Sequence, residues 1–357
     1  MKWSITIGRF FGIRVLIHWT FLLLLAWIGY SVFKRSSDIN ETIITIGFIL
    51  SIFLCVLLHE FGHALTARKY GIGTRKITLL PIGGVASIEK IPEDPKQELW
   101  ITVAGPAVNL AIAIILFLIA PVKENMTDPE LQGISSQTFL TSLFWVNVIL
   151  VIFNAIPAFP MDGGRILRSL LAMKMGRYKA TKIASNLGQI IAIGFFIVGL
   201  FYNPFLMFIA VFVFFGAYAE NMGVQNMEFL SGYTVQDAMM TNLTLLSPEN
   251  TLKDAADKLL EGSEQNFIIY SDNAVIGIIT RPILIDSLKT HQINTPLHQI
   301  MNRRYITFQA TDSLMNVYTA LQQDPKNFFP VIYNGKLAGA INFENINEFI
   351  MIRSALH

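Results

Sequence analysis

The sequence has few charged residues and only one cysteine. Charged residues make up 15% of its 357 residues, against about 25% in an ordinary soluble protein, whereas 53% are hydrophobic. We therefore expect part of the chain to lie in a membrane. The formal net charge of +2 gives no reason to expect a nucleic-acid partner. The single cysteine, Cys55, excludes an intramolecular disulfide and a cysteine-based metal cluster, and we interpret it as a small core residue.

Long hydrophobic runs dominate the first two thirds of the chain. Most of them approach the roughly 20 residues that a helix needs to cross a hydrocarbon core. The first run follows basic residues but has no small-residue cleavage site, which predicts an uncleaved membrane anchor and not a signal peptide. We expect six transmembrane helices, with both termini on one side. The runs lie near residues 15–33, 43–65, 99–120, 139–156, 183–201 and 204–220.

Lysine and arginine are distributed unequally between the connections. The N-terminal segment and the loops at 68–96 and 165–182 together hold 15 of them, whereas the connections on the other side hold 3. Cytoplasmic loops carry an excess of these residues. The protein is therefore predicted to be a multi-pass protein of the cell membrane with cytoplasmic N- and C-termini.

The chain after Ser231 is an internal repeat. Residues 62 positions apart match without a gap, as Met239 does with Met301 and Gly277 with Gly339. Each copy is predicted to form a helix, a strand, a tight turn, a second strand and a short closing helix. Two such units would bury their sheets against each other. The predicted divisions are a membrane core at 1–221, a linker at 222–231 and repeats at 232–292 and 293–357.

The segment HEFGH, His59 to His63, carries the clearest chemical signal. Histidines at i and i+4 lie on one helical face, so both imidazoles reach one point, which suits a divalent metal. Glu60 is placed to reach a water on that metal, as in zinc hydrolases, where the metal lowers the pKa of the water and a carboxylate takes its proton. The pattern also arises by chance in roughly one chain in a hundred of this length.

The location of HEFGH favours a functional interpretation. The 16 residues from Ile43 to Leu58 include 13 apolar ones, and as a helix they cover about 24 Å of a core roughly 30 Å thick. His59, Glu60 and His63 are therefore predicted within the membrane, near its cytoplasmic side. Ionisable groups at that depth are costly without a partner or water, so they indicate a functional site.

A third ligand is needed, because a catalytic zinc site usually has three protein ligands. Asp162, within NAIPAFPMDGGR at 154–165, is the only acidic residue near the fourth predicted span. Its prolines break the helix and its glycines let the chain turn, and irregular backbone at membrane depth is tolerated around a buried, water-lined cavity. We interpret Asp162 as a ligand; the alternative is a helix cap at the cytoplasmic end of the span.

These motifs resemble the site-2 protease family of intramembrane zinc metalloproteases. HEFGH and NAIPAFPMDGG carry the resemblance, with further matches in LLPIGGVA at 79–86, AGPAVN at 104–109 and IHWTF at 17–21. The core with its repeated tail resembles the subgroup with cystathionine-β-synthase (CBS) domains. The resemblance implies one zinc held by His59, His63 and Asp162, with Glu60 as the general base. It also implies that Asn154 steadies the substrate or the oxyanion.

The resemblance also gives a role to the segment KITLLPIGGVASIEK, Lys76 to Lys90. Alone it predicts two strands around a tight turn, which an ordinary surface hairpin would also explain. In the family it looks like a re-entrant β-hairpin beside the active site, whose exposed edge would bind an extended peptide by β-addition. Asn109 is either a polar cavity group or an interhelical hydrogen-bonding residue. His18 either lines the water path or is simply hydrogen-bonded.

The tail departs from the CBS pattern for binding adenine nucleotides. That pattern has an acidic residue for the ribose, and here Ile283 and Asn345 stand in its two positions. Three interpretations stay open, namely weak adenine nucleotide binding, homodimerisation through the CBS repeats, and docking against the mouth of the protease.

The predicted fold is an α-helical polytopic membrane protein with six transmembrane helices and a re-entrant hairpin, followed by a soluble α/β tandem CBS pair. The predicted function is intramembrane cleavage of transmembrane or membrane-proximal segments of protein substrates, modulated by the tail. The alternatives are a CBS-regulated membrane metal-ion transporter, for which Glu60 would be superfluous, and an inactive membrane-bound relative.

Overall fold

The computed structural model describes two compact units, Met1–Val224 and Gln225–His357. Its described residues are 4–81, 83–88, 92, 94–120, 137–262, 264–324 and 327–356. Ile82, Glu89 and Lys90 of the predicted hairpin, and Lys2 and Lys123 of the charge comparison, lie outside them.

The first unit is mainly helical. Among the described residues, four helices are long and apolar enough to cross a membrane, namely Ile39–Lys69, Pro95–Ile119, Arg177–Tyr202 and Pro204–Leu230, whereas the apolar helix Phe139–Ala155 has 17 residues. Every predicted span falls largely on a helix, while the count of six spans remains a prediction. The helices are α1 (Trp19–Ser36), α2 (Ile39–Lys69), α3 (Pro95–Ile119), α4 (Phe139–Ala155), α5 (Asp162–Met175), α6 (Arg177–Tyr202) and α7 (Pro204–Leu230).

The first predicted span begins too early. Strand β2 (Ile13–His18) occupies its first residues, so α1 begins at Trp19, and His18 is its N-cap. Val15 and Ile13 alternate with outward residues and are buried, which is the period of a strand and not of a helix. The apolar run concealed this change of period.

A four-stranded sheet lies beside these helices. Strands β1 (Ser4–Phe10) and β2 are antiparallel, β2 is parallel to β3 (Thr74–Leu80), and β3 is antiparallel to β4 (Gly83–Ile88). The order is β1-β2-β3-β4, so β4 is an edge strand. The two strands predicted around the Pro-Ile-Gly-Gly turn are thus present as β3 and β4. Entry of this hairpin into the membrane remains a prediction.

Helix α5 occupies the first part of the predicted loop at 165–182. Its first turn holds Gly163 and Gly164, where a Cβ would stand 2.2 Å from the Ile156 oxygen and 2.6 Å from the Ala158 carbonyl carbon, respectively. Both glycines are therefore required because the preceding backbone passes too close for a side chain. This differs from the predicted reason, which was freedom to turn.

The second unit contains the two repeats. The first has β5 (Leu245–Leu246), α8 (Leu252–Glu261), β6 (Asn266–Ser271), β7 (Ala274–Thr280) and α9 (Arg281–Thr290). The second has β8 (Phe308–Gln309), α10 (Leu314–Gln323), β9 (Phe328–Tyr333), β10 (Lys336–Asn342) and α11 (Phe343–Ala355). The predicted helix, strand, turn, strand and closing helix are confirmed in both. Ile268 and Ile278 of the first sheet pack with Phe328 and Ala340 of the second, so the sheets face each other as predicted.

Each repeat also receives core residues from a segment outside its own helices and sheet. Leu230 and Val235 lie before β5, the first strand of the first repeat, yet both pack in the core of the second. Leu297 follows α9, yet it packs in the core of the first. The predicted linker at 222–231 lies within the last turns of α7 up to Leu230.

Candidate metal centre and active site

Three side chains converge beside the C-terminal half of α2. The Nε2 atoms of His59 and His63 are 3.1 Å apart, and each is 3.2 Å from Oδ2 of Asp162. All three residues are buried. Within the described residues they form the one group of three or more His, Cys, Asp and Glu side chains that could hold a metal. The sequence predicted this set.

The outer nitrogens of both imidazoles are engaged in hydrogen bonds. Nδ1–H of His63 donates to the backbone oxygen of Ile101 at 2.8 Å, and Nδ1–H of His59 donates to Oδ1 of Asn109 at 2.6 Å. A neutral imidazole has one donor and one acceptor nitrogen. Each Nε2 therefore presents a lone pair to the other histidine and to the carboxylate.

This arrangement fits a cation. Three acceptor atoms face one another at 3.1–3.2 Å, and Oδ2 of Asp162 is buried without a hydrogen-bond donor. Three lone pairs at such distances repel unless a positive charge lies among them. Ligands held at 2.0–2.1 Å in a tetrahedron are about 3.3 Å apart, so two imidazoles and one carboxylate at this spacing match zinc with one open position.

Close packing of α2 on α3 sets the positions of the histidines. A Cβ on Gly105 would stand 2.3 Å from Nε2 of His63 and 2.8 Å from Nε2 of His59. A Cβ on Gly62 would stand 2.7 Å from the Ala104 oxygen. The small residues of AGPAVN therefore do more than allow helix packing, because Gly105 leaves the space that the two imidazoles occupy.

Glu60 lies against the edge strand of the sheet. A Cβ on Gly84, in β4, would stand 2.7 Å from Cγ of Glu60. The adjoining face of α2 holds Phe61 and Ala64, which pack with Val15 and Ile77 of the sheet. Glu60 is thus half-buried against β4, which is an edge strand among the described residues.

Asn154 and His18, two other residues singled out in the sequence, form hydrogen bonds close to their own positions in the chain. Nδ2 of Asn154 donates to the backbone oxygen of Leu150, four residues earlier in its own helix, at 2.9 Å. Nδ1 of His18 accepts from the Thr20 backbone N–H at 3.4 Å and lies 2.7 Å from the Thr20 hydroxyl. The structure supports the simple hydrogen-bonded interpretation of His18.

Several residues near the site were missed by the sequence prediction. Asn147 contacts Asn109 at 2.9 Å and is fully buried in α4. Arg168 of α5 is also buried and forms ion pairs with Glu98 of α3 and Glu220 of α7. For Asn147 the available signal was a polar residue within an apolar helix, since such a group is costly in a membrane without a partner.

Comparisons with known proteins agree with this chemistry. A model of peptidase family M50 matches residues 47–129 and 125–198, and a model of the CBS domain matches residues 235–289. The zinc metalloprotease MJ0392 of Methanocaldococcus jannaschii is 32% identical over 348 residues, covering 97% of this chain and 96% of the relative. The stage IV sporulation protein FB of Bacillus subtilis is 29% identical over 136 residues, covering 38% of this chain and 44% of the relative.

Among solved structures, the site-2 protease from M. jannaschii shares 38% sequence identity, with a TM-score of 0.45. The match covers 61% of this chain and 95% of that protein. The full-length match with a zinc metalloprotease decides against the transporter interpretation. The chain belongs to peptidase family M50, the site-2 proteases, and is a zinc metalloendopeptidase that carries CBS domains in its tail.

Proposed function

We propose that this protein cleaves transmembrane or membrane-proximal segments of protein substrates close to the cytoplasmic face, as part of regulated intramembrane proteolysis. The observation that carries the proposal is the convergence of His59, His63 and Asp162 with Glu60 alongside. Because α2 and α3, which hold the histidines and Gly105, are long and apolar enough to cross a membrane, the proposed substrates are proteins that reach the site within the bilayer.

Each residue of the site has its own role in the proposed hydrolysis. One zinc per chain, held by His59, His63 and Asp162, would polarise the scissile carbonyl and lower the pKa of a coordinated water. Glu60 takes a proton from the attacking water and gives it to the leaving amine. Asn154 has two amide N–H groups and donates one to its own helix. The second is the proposed donor to the substrate or to the developing oxyanion.

The edge of β4 is proposed to hold the substrate. The backbone hydrogen bonds of a transmembrane helix shield its peptide bonds, so a stretch must unwind before it is cut. An edge strand offers unpaired backbone groups that replace the lost hydrogen bonds. Because Gly84 of β4 adjoins Glu60, a peptide added to this edge would place its carbonyls next to the general base.

The tail is proposed to modulate the protease without strong adenine nucleotide binding. Ile283 packs against the core of the first repeat. Asn342 and Asn345 form a reciprocal cap at the start of α11, with backbone N–H to side-chain oxygen distances of 3.1 and 3.0 Å. The adjoining cavity of about 170 Å³ is lined by Glu264, Glu344 and Glu348, whose charges repel phosphate.

The direct test is cleavage of a panel of tagged single-span substrates by the purified protein, with and without a zinc chelator. The wild type should cleave at least one substrate and lose this activity to the chelator. Glu60→Gln should abolish cleavage and keep near-stoichiometric zinc, because Glu60 is not a ligand. His59→Ala, His63→Ala and Asp162→Ala should lose both.

A conservative control separates these effects from misfolding. Glu41→Gln changes a partly exposed glutamate at the other end of the same helix, where its partner is Arg35, and should leave both zinc and cleavage unchanged. Cleavage by Glu60→Gln within a few-fold of wild type would contradict the proposed mechanism. Zinc binding without any cleavage across a broad panel would favour the inactive relative.

A further inference from the structure

A buried chain of amide groups leads away from the metal site towards α4. Asn109 accepts a hydrogen bond from His59 and donates its own Nδ2–H to Oδ1 of Asn147 at 2.9 Å. Asn147 in turn donates through Nδ2 to the backbone oxygen of Leu143 at 2.9 Å and to Sγ of Cys55 at 3.4 Å. Asn109 is 1% exposed and Asn147 is 0% exposed, so neither can exchange these partners for water.

The direction of this chain is fixed at its far end. A backbone carbonyl can only accept, so the Leu143 oxygen requires the amino group of Asn147, whose oxygen must then face Asn109. Asn109 consequently turns its amino group to Asn147 and its oxygen to His59. An oxygen at that point requires a proton on Nδ1 of His59, which leaves Nε2 unprotonated and directed at the other two ligands.

Both histidines are therefore held in the tautomer with the proton on Nδ1, but by different hydrogen bonds. Nδ1–H of His63 reaches the Ile101 carbonyl directly. Nδ1–H of His59 reaches the Leu143 carbonyl through two amide side chains. Removing the second amide would let Asn109 rotate and present its amino group to His59, which would favour the wrong tautomer for a metal ligand.

We propose that Asn147 is a positioning residue of the metal site, which fixes the orientation of the Asn109 amide and thereby the metal-binding tautomer of His59. This inference rests on the proposed zinc site. Partners that orient metal-ligating histidines typically change metal affinity by about 10–100-fold when they are removed. Asn147 contacts Asn109 and acts on His59 only through it. We therefore expect its removal to lower zinc affinity by about 10-fold.

The test measures zinc affinity of the full chain in detergent micelles by competition with a chromogenic chelator. Asn147→Leu keeps the approximate volume and removes both donor and acceptor; it should weaken zinc binding about 10-fold. Asn109→Ala should weaken binding by about 10–100-fold. The double variant should bind no more weakly than Asn109→Ala, within about twofold, because Asn147 acts only through Asn109.

Two further variants separate positioning from packing. Asn147→Asp retains an acceptor for the amino group of Asn109, so it should stay within about threefold of wild-type affinity even if its folded state is less stable. Ser185→Ala removes another buried interhelical hydrogen bond, from the Ser185 hydroxyl to the Ala217 oxygen, and should leave zinc affinity within about twofold. Asn147→Asp remains informative if Asn147→Leu does not fold.

Each outcome has a distinct meaning. The inference is wrong if Asn147→Leu binds zinc like the wild type, if the penalties of Asn109→Ala and Asn147→Leu multiply in the double variant, or if Asn147→Asp loses as much affinity as Asn109→Ala. A wild-type chain that binds no zinc would overturn the proposed function itself, and is distinguished from these results because it concerns the unmodified protein.

Discussion

Gly105 lies so close to His63 that a Cβ on it would stand 2.3 Å from Nε2 of the imidazole, well inside van der Waals contact. The backbone of α3 therefore forms one wall of the metal site. The same helix supplies the Ile101 carbonyl to His63 and the Asn109 amide to His59. The orientation of both histidines thus depends on how closely α3 approaches α2.

Gly105→Ala is predicted to destroy the metal site while leaving the helices in place. The added methyl group must displace both imidazoles, so zinc content and cleavage should fall together, by at least 10-fold. Gly47→Ala is the matched control, because nothing lies within 4 Å of a Cβ there, and alanine in a helix is favoured by up to about 1 kcal/mol. Metal analysis with a cleavage assay checks both; normal zinc in Gly105→Ala would contradict the geometry.

Gly84→Ala is predicted to separate catalysis from metal binding. The new methyl group would meet Cγ of Glu60 at 2.7 Å, which forces the flexible Glu60 side chain to move its carboxylate. Cleavage should fall roughly 10-fold, a loss within the range of general-base contributions. Zinc content should stay near that of wild type, since no ligand lies against Gly84, and a parallel loss of zinc would count against this placement of Glu60.

Arg168→Met is predicted to be strongly destabilising. Arg168 is 2% exposed and joins Glu98 of α3 to Glu220 of α7. Its removal leaves Glu220 without this cation and Glu98 with only the longer contact to Arg177 at 3.6 Å, and removing one partner of a buried pair costs about 3–5 kcal/mol. Arg35→Met breaks the exposed pair with Glu41 and should cost less than about 1 kcal/mol. Thermal unfolding in detergent compares the two, and equal midpoints would show that the ionic cluster contributes little.

The unequal distribution of lysine and arginine predicts which residues are accessible from outside the cell. With Cys55 replaced by alanine, Asn40→Cys should react with an impermeant thiol reagent on intact cells, since Asn40 is exposed in the first turn of α2. Ser247→Cys in the tail should react only after permeabilisation. The reverse pattern would invert the topology and move the cleavage site to the other membrane face.

Weak adenine nucleotide binding is predicted for the tail. Neither Ile283 nor Asn345 offers a carboxylate to a ribose, and three glutamates line the cavity next to Asn345. Calorimetry of the full chain should find no binding of ATP or AMP at low-micromolar or tighter affinity. Such affinity would instead indicate a sensor of cellular energy state.

Deleting 232–357 should leave zinc content unchanged, because no proposed ligand lies there, and should change cleavage rate or substrate choice.

The candidate metal ligands and the repeated tail were predictable from the sequence because both depend on short-range spacing or self-similarity. His59 and His63 are one helical turn apart, and the 62-residue offset is visible in the chain itself. Asp162 followed from the number of ligands that zinc requires. Helical spacing, the repeat offset and the number of zinc ligands each left few alternative interpretations.

The surroundings of the site were not predictable, because they depend on contacts between helices. Asn109 had two open interpretations until its contact with His59 was seen, and Asn147 and Arg168 were not noticed. The early strand at Ile13–His18 was concealed because its last residues begin an apolar run. One of its two partners, β3, is about sixty residues further along the chain. Only the folded arrangement reveals these pairs.

The exchange of core residues between the two repeats has a consequence for folding. Leu230 and Val235 complete the second repeat, while Leu297 completes the first. A cut between α9 and Leu297 therefore removes buried side chains from both. We expect the tail to unfold in a single cooperative transition, with no state in which one repeat is intact and the other melted. Any signal that loosens one repeat would thus reach the end of α7, where Leu230 is held.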